Sequence, residues 1–297
     1  MCHSIFKVLR PHQWVKNLFI FLPVFFGKHL FEVEYWLPSL FAFVSFSLAA
    51  SGVYCFNDIN DVEADRLHPV KRHRPIASGA LSMSWGYALM SICFILSIGV
   101  LWVGAIITIA MDPIGVSLVV VCYIGMNILY SIKLKQIAIV DILIISLGFV
   151  LRLLMGSLAT GIMLSKWLVL MTMLLALFLA LAKRWDDVWI YETTGMKARG
   201  NIDKYNTAFM NQALSIVAAI TVVCYIMYTI SDEVVARIGS SHLYLTAIFV
   251  LAGLLRHLQL TLVENRSGSP TKVLLQDRFM QICVIGWAIT FGIILYC

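Results

Sequence analysis

The chain has 297 residues, of which 61% are hydrophobic and only 13% are Asp, Glu, Lys or Arg. Soluble domains carry about 25% charged residues, so this composition excludes an ordinary soluble enzyme and predicts a polytopic membrane protein. The net charge is +6, and we expect membrane lipids rather than nucleic acid as its surroundings. The seven cysteines show no paired spacing, so they predict neither a disulfide framework nor a cysteine metal site.

Long apolar stretches predict an all-α bundle of nine transmembrane helices, because a span needs about 20 apolar residues. Transmembrane strands do not fit, since the apolar runs are long and do not alternate. We expect a single domain over residues 1–297. The predicted helices, in chain order, cover residues 17–31, 36–56, 84–106, 114–131, 138–160, 166–183, 209–230, 242–262 and 279–297.

The distribution of basic residues predicts the orientation. With the N-terminus in the cytoplasm, most of the 22 Lys and Arg residues lie on the inner side, as the positive-inside rule requires. The C-terminus is then outside. Two long polar connections, at about 57–83 and 184–208, are cytoplasmic in this arrangement. We expect function to concentrate there, because binding and catalytic residues favour loops carried by a rigid scaffold.

The densest group of carboxylates lies at the inner end of the second apolar stretch, in the run Asn-Asp-Ile-Asn-Asp-Val-Glu-Ala-Asp. If the helix continues through this run, Asn57, Asp61 and Asp65 share a face, Asp58 lies beside it and Glu63 points elsewhere. Grouped carboxylates repel one another unless a cation lies among them, and oxygen ligands suit Mg²⁺. The run therefore predicts a magnesium site. A solvated acidic turn that pairs with neighbouring arginines is the alternative.

A basic run follows the carboxylates, with Arg66, Lys71, Arg72 and Arg74. Arginine presents forked donors that match phosphate oxygens, so these residues are candidates for binding a diphosphate. The alternative is that they mark only the cytoplasmic side of the membrane.

The pattern Asn-Asp-x-x-Asp-x-x-x-Asp, followed by Arg-Pro-Ile-Ala-Ser-Gly at 74–79, resembles the first signature of the UbiA superfamily of intramembrane prenyltransferases. The resemblance implies a helical bundle with a central cavity that opens to the cytoplasm. It also implies two acidic motifs at the cavity mouth that bind Mg²⁺ and a diphosphate.

Residues 9–17, 130–135, 152–161 and 179–184 resemble the decaprenyl-phosphate phosphoribosyltransferase branch of that superfamily. This resemblance implies transfer of a 5-phosphoribosyl group from 5-phosphoribosyl diphosphate to a polyprenyl phosphate, with release of pyrophosphate. It further implies a bacterial inner (plasma) membrane enzyme that serves lipid-linked pentose and cell-envelope glycan synthesis.

The second motif departs from the prenyl-transferring pattern, in which another aspartate ladder is expected. Here Lys183, Asp187 and Tyr191 share one helix face, with Arg184 beside them. One carboxylate with a lysine favours an anion site over a metal site, which suits a second phosphate-bearing substrate. No general base is expected, because an acceptor phosphate is already ionised near pH 7.

Asp141 and Arg152 lie within the predicted fifth helix, and charges inside a membrane are functional candidates by default. A structural partner, such as a backbone carbonyl, is the alternative for Arg152. Interfacial roles are the alternative for the segment around Trp14 and for Tyr130.

Three sets of site residues follow. Magnesium is assigned to Asp58, Asp61 and Asp65. The predicted catalytic residues are Asn57, Asp58, Asp61, Asp65 and Asp187. The predicted substrate-binding residues are Gln13, Lys16, Asn17, Arg66, Lys71, Arg72, Arg74, Tyr130, Lys133, Lys135, Asp141, Arg152, Lys183, Arg184 and Tyr191.

Two other functions stay open. The first is transfer of a prenyl group from a prenyl diphosphate to an aromatic acceptor, which the first motif serves equally well. The second is transport of a phosphorylated solute, although the repeated hydropathy halves that many transporters show are not evident in the sequence.

Overall fold

The computed structural model describes residues 2–67, 71–108, 111–197, 200–265, 273 and 275–296. Over these residues the regular structure is entirely helical. Arg199, Arg266 and Lys272, which contributed to the predicted orientation, lie outside the described residues. The α-helices are α1 (Cys2–Leu9), α2 (Leu22–Phe26), α3 (Trp36–Asn60), α4 (Val62–Leu67), α5 (Met83–Ile107), α6 (Pro113–Ile132), α7 (Val140–Thr160), α8 (Lys166–Thr194), α9 (Thr207–Ile230), α10 (Asp232–Ile238), α11 (Ala247–Leu262) and α12 (Arg278–Tyr296).

Eight helical segments of the described chain are long and apolar enough to cross a membrane, namely those built on α3, α5, α6, α7, α8, α9, α11 and α12. They coincide with eight of the predicted spans, so the all-α membrane fold is confirmed. The count of nine is not confirmed. Helix α8 continues to Thr194, beyond its predicted end at residue 183, so the first part of the connection at 184–208 is helical.

The first predicted helix, at 17–31, is not a single α-helix. The structure has a 3-10 run over Pro11–Phe21, followed by the short helix α2. Pro23 lies in the first turn of α2, where its missing N–H is tolerated. A 3-10 helix rises about 2.0 Å per residue, so this run is roughly 22 Å long. The prediction of a single membrane-spanning α-helix over 17–31 is therefore not confirmed.

The 3-10 run is held against α3 by buried polar contacts. Trp14 Nε1 donates to Ser51 Oγ at 3.0 Å, and Asn17 Nδ2 donates to Ser47 Oγ at 2.8 Å. Both serines are buried on α3. Non-α backbone at membrane depth is tolerated where protein covers it, and these contacts provide part of that cover.

Arg152 is buried in α7, and its contacts within the described residues are neutral groups. Its Nε donates to Asn17 Oδ1 at 2.7 Å, and one terminal nitrogen donates to the Gly148 carbonyl at 2.6 Å. The guanidinium also lies 5.0 Å from the ring centroid of Phe46 and 5.3 Å from that of Tyr123, and desolvated cation–π contacts of this kind are stabilising. These contacts favour the structural alternative for Arg152.

The chain divides into two compact units, each with its own core. The first unit comprises residues 1–135 and 147–164, and the second comprises 136–146 and 165–297. Phe46 and Leu101 belong to the core of the first unit. Phe178 belongs to the core of the second.

A substitution at Gly156 tests how closely the 3-10 run packs against α7. A Cβ at this position on α7 would lie 2.0 Å from the Ile20 carbonyl oxygen. Gly156→Ala must therefore push two backbones apart, at an expected cost of about 1–3 kcal/mol, and should lower the thermal unfolding midpoint of the purified protein in detergent. Gly125→Ala on α6 is the matched control, because a Cβ there meets nothing within 4 Å. Equal midpoints for the two variants would contradict this close approach.

Candidate active site

The backbone of the first motif keeps a helical path despite a one-residue break. Helix α3 ends at Asn60 and α4 begins at Val62, with Asp61 between them. The Asp61 N–H still donates to the Asn57 carbonyl at 3.0 Å, and the Asp65 N–H donates to the Asp61 carbonyl at 2.8 Å. The predicted spacing of the carboxylates is therefore retained.

Two arginines hold the buried carboxylates of this motif. Asp58 Oδ1 accepts hydrogen bonds from Arg10 at 2.5 Å and from Arg74 at 3.2 Å. The same terminal nitrogen of Arg74 donates to Asp65 Oδ2 at 2.7 Å. Asp58 and Asp65 are almost fully buried, whereas both arginines are partly exposed. The arginines thus connect the buried carboxylates to the surface of the unit.

The third carboxylate has a lysine partner. Lys135 Nζ lies 2.5 Å from Asp61 Oδ1. The Asn57 amide oxygen accepts a hydrogen bond from the Ser131 hydroxyl, so α6 and the segment after it contribute to the motif. Three carboxylates and three basic side chains make this cluster formally neutral.

Glu63 points away from the cluster, as predicted. Its side chain is exposed and pairs with Arg66 at 3.0 Å. Arg66 also donates to the Ala77 carbonyl, so in this structure its guanidinium binds groups of its own loop.

The donor set of the first motif fits a hard divalent cation. Asp58 Oδ2 is buried and has no hydrogen-bond partner among the described residues, which is a costly arrangement for a carboxylate oxygen. In the described residues, no group of three His, Cys, Asp or Glu side chains is already arranged to hold a metal ion. In this structure basic side chains pair with all three carboxylates of the motif. Asp58, Asp61 and Asp65 are the residues of this motif that could hold Mg²⁺, and their role as ligands stays a prediction.

Arg10 belongs to this site, although the sequence did not predict it. It lies in the left-handed region, with φ 50°, a conformation that costs a non-glycine residue about 1–2 kcal/mol. Its guanidinium also lies 5.1 Å from the centroid of the Tyr54 ring. Strained backbone of this kind clusters at functional sites. The only sequence signal was its place in the Arg-Pro-His-Gln-Trp run.

The second motif contains a buried ion pair. Arg184 and Asp141 are both nearly inaccessible, and a terminal nitrogen of Arg184 lies 2.6 Å from Asp141 Oδ2. The other terminal nitrogen of Arg184 donates to Asp187 Oδ2 at 2.8 Å. Two predicted substrate-binding residues, Asp141 and Arg184, therefore pair with each other in the interior of the second unit.

The predicted face of the second motif forms on α8. Because the helix runs through to Thr194, Lys183, Asp187 and Tyr191 lie on one side of it. Lys183 is exposed, whereas Asp187 and Tyr191 are half-buried. This face can present a cation, a carboxylate and a phenol to an anionic group.

The remaining predicted binding residues all lie in the first unit. They are Gln13 and Lys16 on the 3-10 run, Lys71 and Arg72 in the 3-10 turn Lys71–His73, Tyr130 near the end of α6, and Lys133 just after it. Their phosphate contacts stay predictions.

The sequence model of the UbiA prenyltransferase family matches residues 20–285. The chain belongs to the UbiA prenyltransferase family. It is 32% identical to the decaprenyl-phosphate phosphoribosyltransferase of Mycolicibacterium smegmatis over 99% of this chain and 92% of the relative. It is also 32% identical to the Mycobacterium tuberculosis protein of the same name, over 97% of this chain and 93% of the relative.

The fold is also that of the UbiA family. The structure of a UbiA homologue from Archaeoglobus fulgidus bound to GPP and Mg²⁺ aligns with a TM-score of 0.70, covering 98% of this chain and 99% of the homologue at 18% identity. At this identity the likeness shows the fold alone. With eight apolar spans among its described residues, this UbiA-family enzyme is a multi-pass membrane protein.

The buried pair of the second motif predicts a large stability effect. Asp141→Asn replaces one of the two carboxylate partners of the buried Arg184 by a neutral amide. Breaking a buried pair typically costs about 3–5 kcal/mol, and the remaining Asp187 contact places the expected cost at the lower end. We expect a markedly lower unfolding midpoint in detergent. Asp203→Asn is the control, because the Asp203–Lys197 pair is exposed and contributes little. Similar midpoints for the two variants would show that Asp141 is not a structural anchor.

Proposed function

We propose that this UbiA-family enzyme transfers a 5-phosphoribosyl group from 5-phosphoribosyl diphosphate to a polyprenyl phosphate, with release of pyrophosphate. The product would supply lipid-linked pentose for cell-envelope glycan synthesis. The observation that carries the proposal is the second motif, where a single ladder carboxylate, Asp187, is held by Arg184 beside Lys183. This arrangement suits a phosphate better than a second magnesium ion. The names of the relatives that match nearly the whole chain support the same reaction.

The first motif would bind the donor. Magnesium held by Asp58, Asp61 and Asp65 would neutralise charge on the diphosphate and assist its departure. Arg10, Arg74 and Lys135 would turn from the carboxylates to the phosphate oxygens, for which arginine is well suited. Cations and carboxylates gathered in one cluster can accept a metal and a diphosphate together without leaving excess charge.

The second motif would bind the acceptor. Lys183 and Tyr191 donate to the polyprenyl phosphate, and Asp187 lies on the same face of α8. A phosphate oxygen of the acceptor forms a bond to ribose C1 as the bond from C1 to the diphosphate oxygen breaks. The electron pair leaves with pyrophosphate, and no proton has to move. Catalysis then rests on positioning and charge stabilisation.

The proposed site is cytoplasmic, because the basic residues that flank both motifs lie on the side that the positive-inside rule assigns to the cytoplasm. A bacterial inner membrane location agrees with the bacterial relatives.

A transfer assay tests the proposed reaction. Purified protein in detergent receives labelled 5-phosphoribosyl diphosphate and a polyprenyl phosphate, with Mg²⁺ or with a chelator. We expect label to enter the organic phase only with Mg²⁺. A parallel reaction contains a prenyl diphosphate and an aromatic acceptor. Prenylation there, without transfer of the phosphoribosyl label, would favour the prenyltransferase alternative and reject this proposal.

A matched pair of variants tests the first motif. Asp61→Asn removes a predicted magnesium ligand and should lower kcat by at least about 100-fold, because the metal supplies several kcal/mol of charge stabilisation. Glu63→Gln makes the same chemical change two residues away, on an exposed side chain outside the cluster, and should keep near-normal turnover. Near-normal turnover of Asp61→Asn at an unchanged unfolding midpoint would refute the metal role.

A further inference from the structure

Tyr205 lies just before α9 and had no role in the sequence analysis. Its side chain is buried, at 6% exposure. The hydroxyl accepts a hydrogen bond from the Ile139 N–H at 2.6 Å and donates one to Asp141 Oδ1 at 2.8 Å. Burial raises the pKa of Tyr205 to about 12, so the hydroxyl keeps its proton near neutral pH and remains a donor to Asp141.

A chain of contacts leads from Tyr205 to the second motif. The other oxygen of Asp141 pairs with Arg184, and Arg184 donates to Asp187. Asp141 and Arg184 are buried, and Asp187 is the member with partial exposure, at 18%. The network therefore runs from the interior of the second unit to the carboxylate that this motif presents.

The position of Arg184 depends on its two carboxylates. Its Nε is buried and has no hydrogen-bond partner within the described residues. Since Asp141 and Asp187 hold the guanidinium through its terminal nitrogens, a shift of Asp141 must also move the group that orients Asp187.

The backbone beside Asp141 is strained. Ile139 has φ 70°, the left-handed region, which is a real outlier for a β-branched residue. Its carbonyl accepts hydrogen bonds from the first turn of α7, and its N–H donates to the Tyr205 hydroxyl. Strained conformations persist only when their surroundings over-determine them, and Tyr205 supplies one of these constraints.

We propose that Tyr205 is a positioning residue for Asp187. Its hydroxyl fixes Asp141, Asp141 fixes Arg184, and Arg184 holds the Asp187 carboxylate in place beside Lys183. The inference rests on the proposed function, in which Asp187 belongs to the acceptor-phosphate site.

Tyr205→Phe tests the role, since it removes only the hydroxyl. We expect KM for the polyprenyl phosphate to rise about tenfold, as loss of the two buried hydrogen bonds of the hydroxyl allows, with a smaller change in kcat and an unchanged KM for the donor. Tyr225→Phe is the matched control. Tyr225 is equally buried in the same unit, and its hydroxyl bonds to Thr246 and Trp287 at 2.6 and 2.7 Å. Wild-type kinetic constants are expected for this variant.

A double-mutant cycle with Asp187→Asn separates positioning from general destabilisation. If Tyr205 acts through Asp187, Tyr205→Phe should have little further effect in the Asp187→Asn background. Independent effects that multiply would overturn the proposal. If Tyr205→Phe does not stay folded, Arg184→Lys takes its place in the cycle, and multiplying effects there overturn the proposal as well.

Hydrogen exchange gives a result that does not depend on turnover. Tyr205→Phe should speed amide exchange in peptides that cover residues 136–146 and 184–191, whereas Tyr225→Phe should affect neither. Unchanged exchange over residues 184–191 would overturn the proposal that Tyr205 positions Asp187. If the wild-type enzyme is inactive in the transfer assay but the expected exchange pattern is seen, the proposed reaction is rejected. The positioning role of Tyr205 is then still supported.

Discussion

An ionised side chain buried in an apolar helix bundle must keep a partner, because transfer of the charge out of water costs several kcal/mol per ion even after relaxation. This constraint organises the polar groups of both units. In the first unit, Asp58 and Asp65 pair with Arg10 and Arg74. In the second, Asp141 pairs with Arg184. Arg152 meets the same requirement with an amide, a carbonyl and aromatic rings.

The same pairing prepares the first motif for its proposed chemistry. A neutral set of three carboxylates and three cations has little net attraction for a lone divalent ion or for a lone diphosphate. When a metal and a diphosphate bind together, the carboxylates bind the metal and the basic side chains that they release bind the diphosphate. The charges of the cluster then stay largely balanced. The basic side chains that pair with the buried carboxylates in the folded protein would then also bind the substrate.

The two motifs differ in how readily their ion pairs can exchange partners. In the first, the basic partners of the carboxylates are partly exposed and can exchange ligands. In the second, Arg184 and Asp141 are buried together, and only Asp187 reaches toward the surface. A buried pair of this kind fixes geometry but is poorly suited to exchange. The second motif is therefore better understood as a rigid frame behind one partly exposed face of α8.

The sequence by itself determined the membrane class, eight of the spans, the family and the spacing of the first motif, because hydropathy and helical periodicity are local properties. It also placed Glu63 correctly outside the cluster. The tertiary structure alone decided the 3-10 geometry of the first apolar stretch, since hydropathy does not depend on helix type. It alone brought Arg10 to Asp58, and Tyr205 to Asp141. These partners lie far apart along the chain, and their contacts arise from tertiary packing that no local pattern encodes.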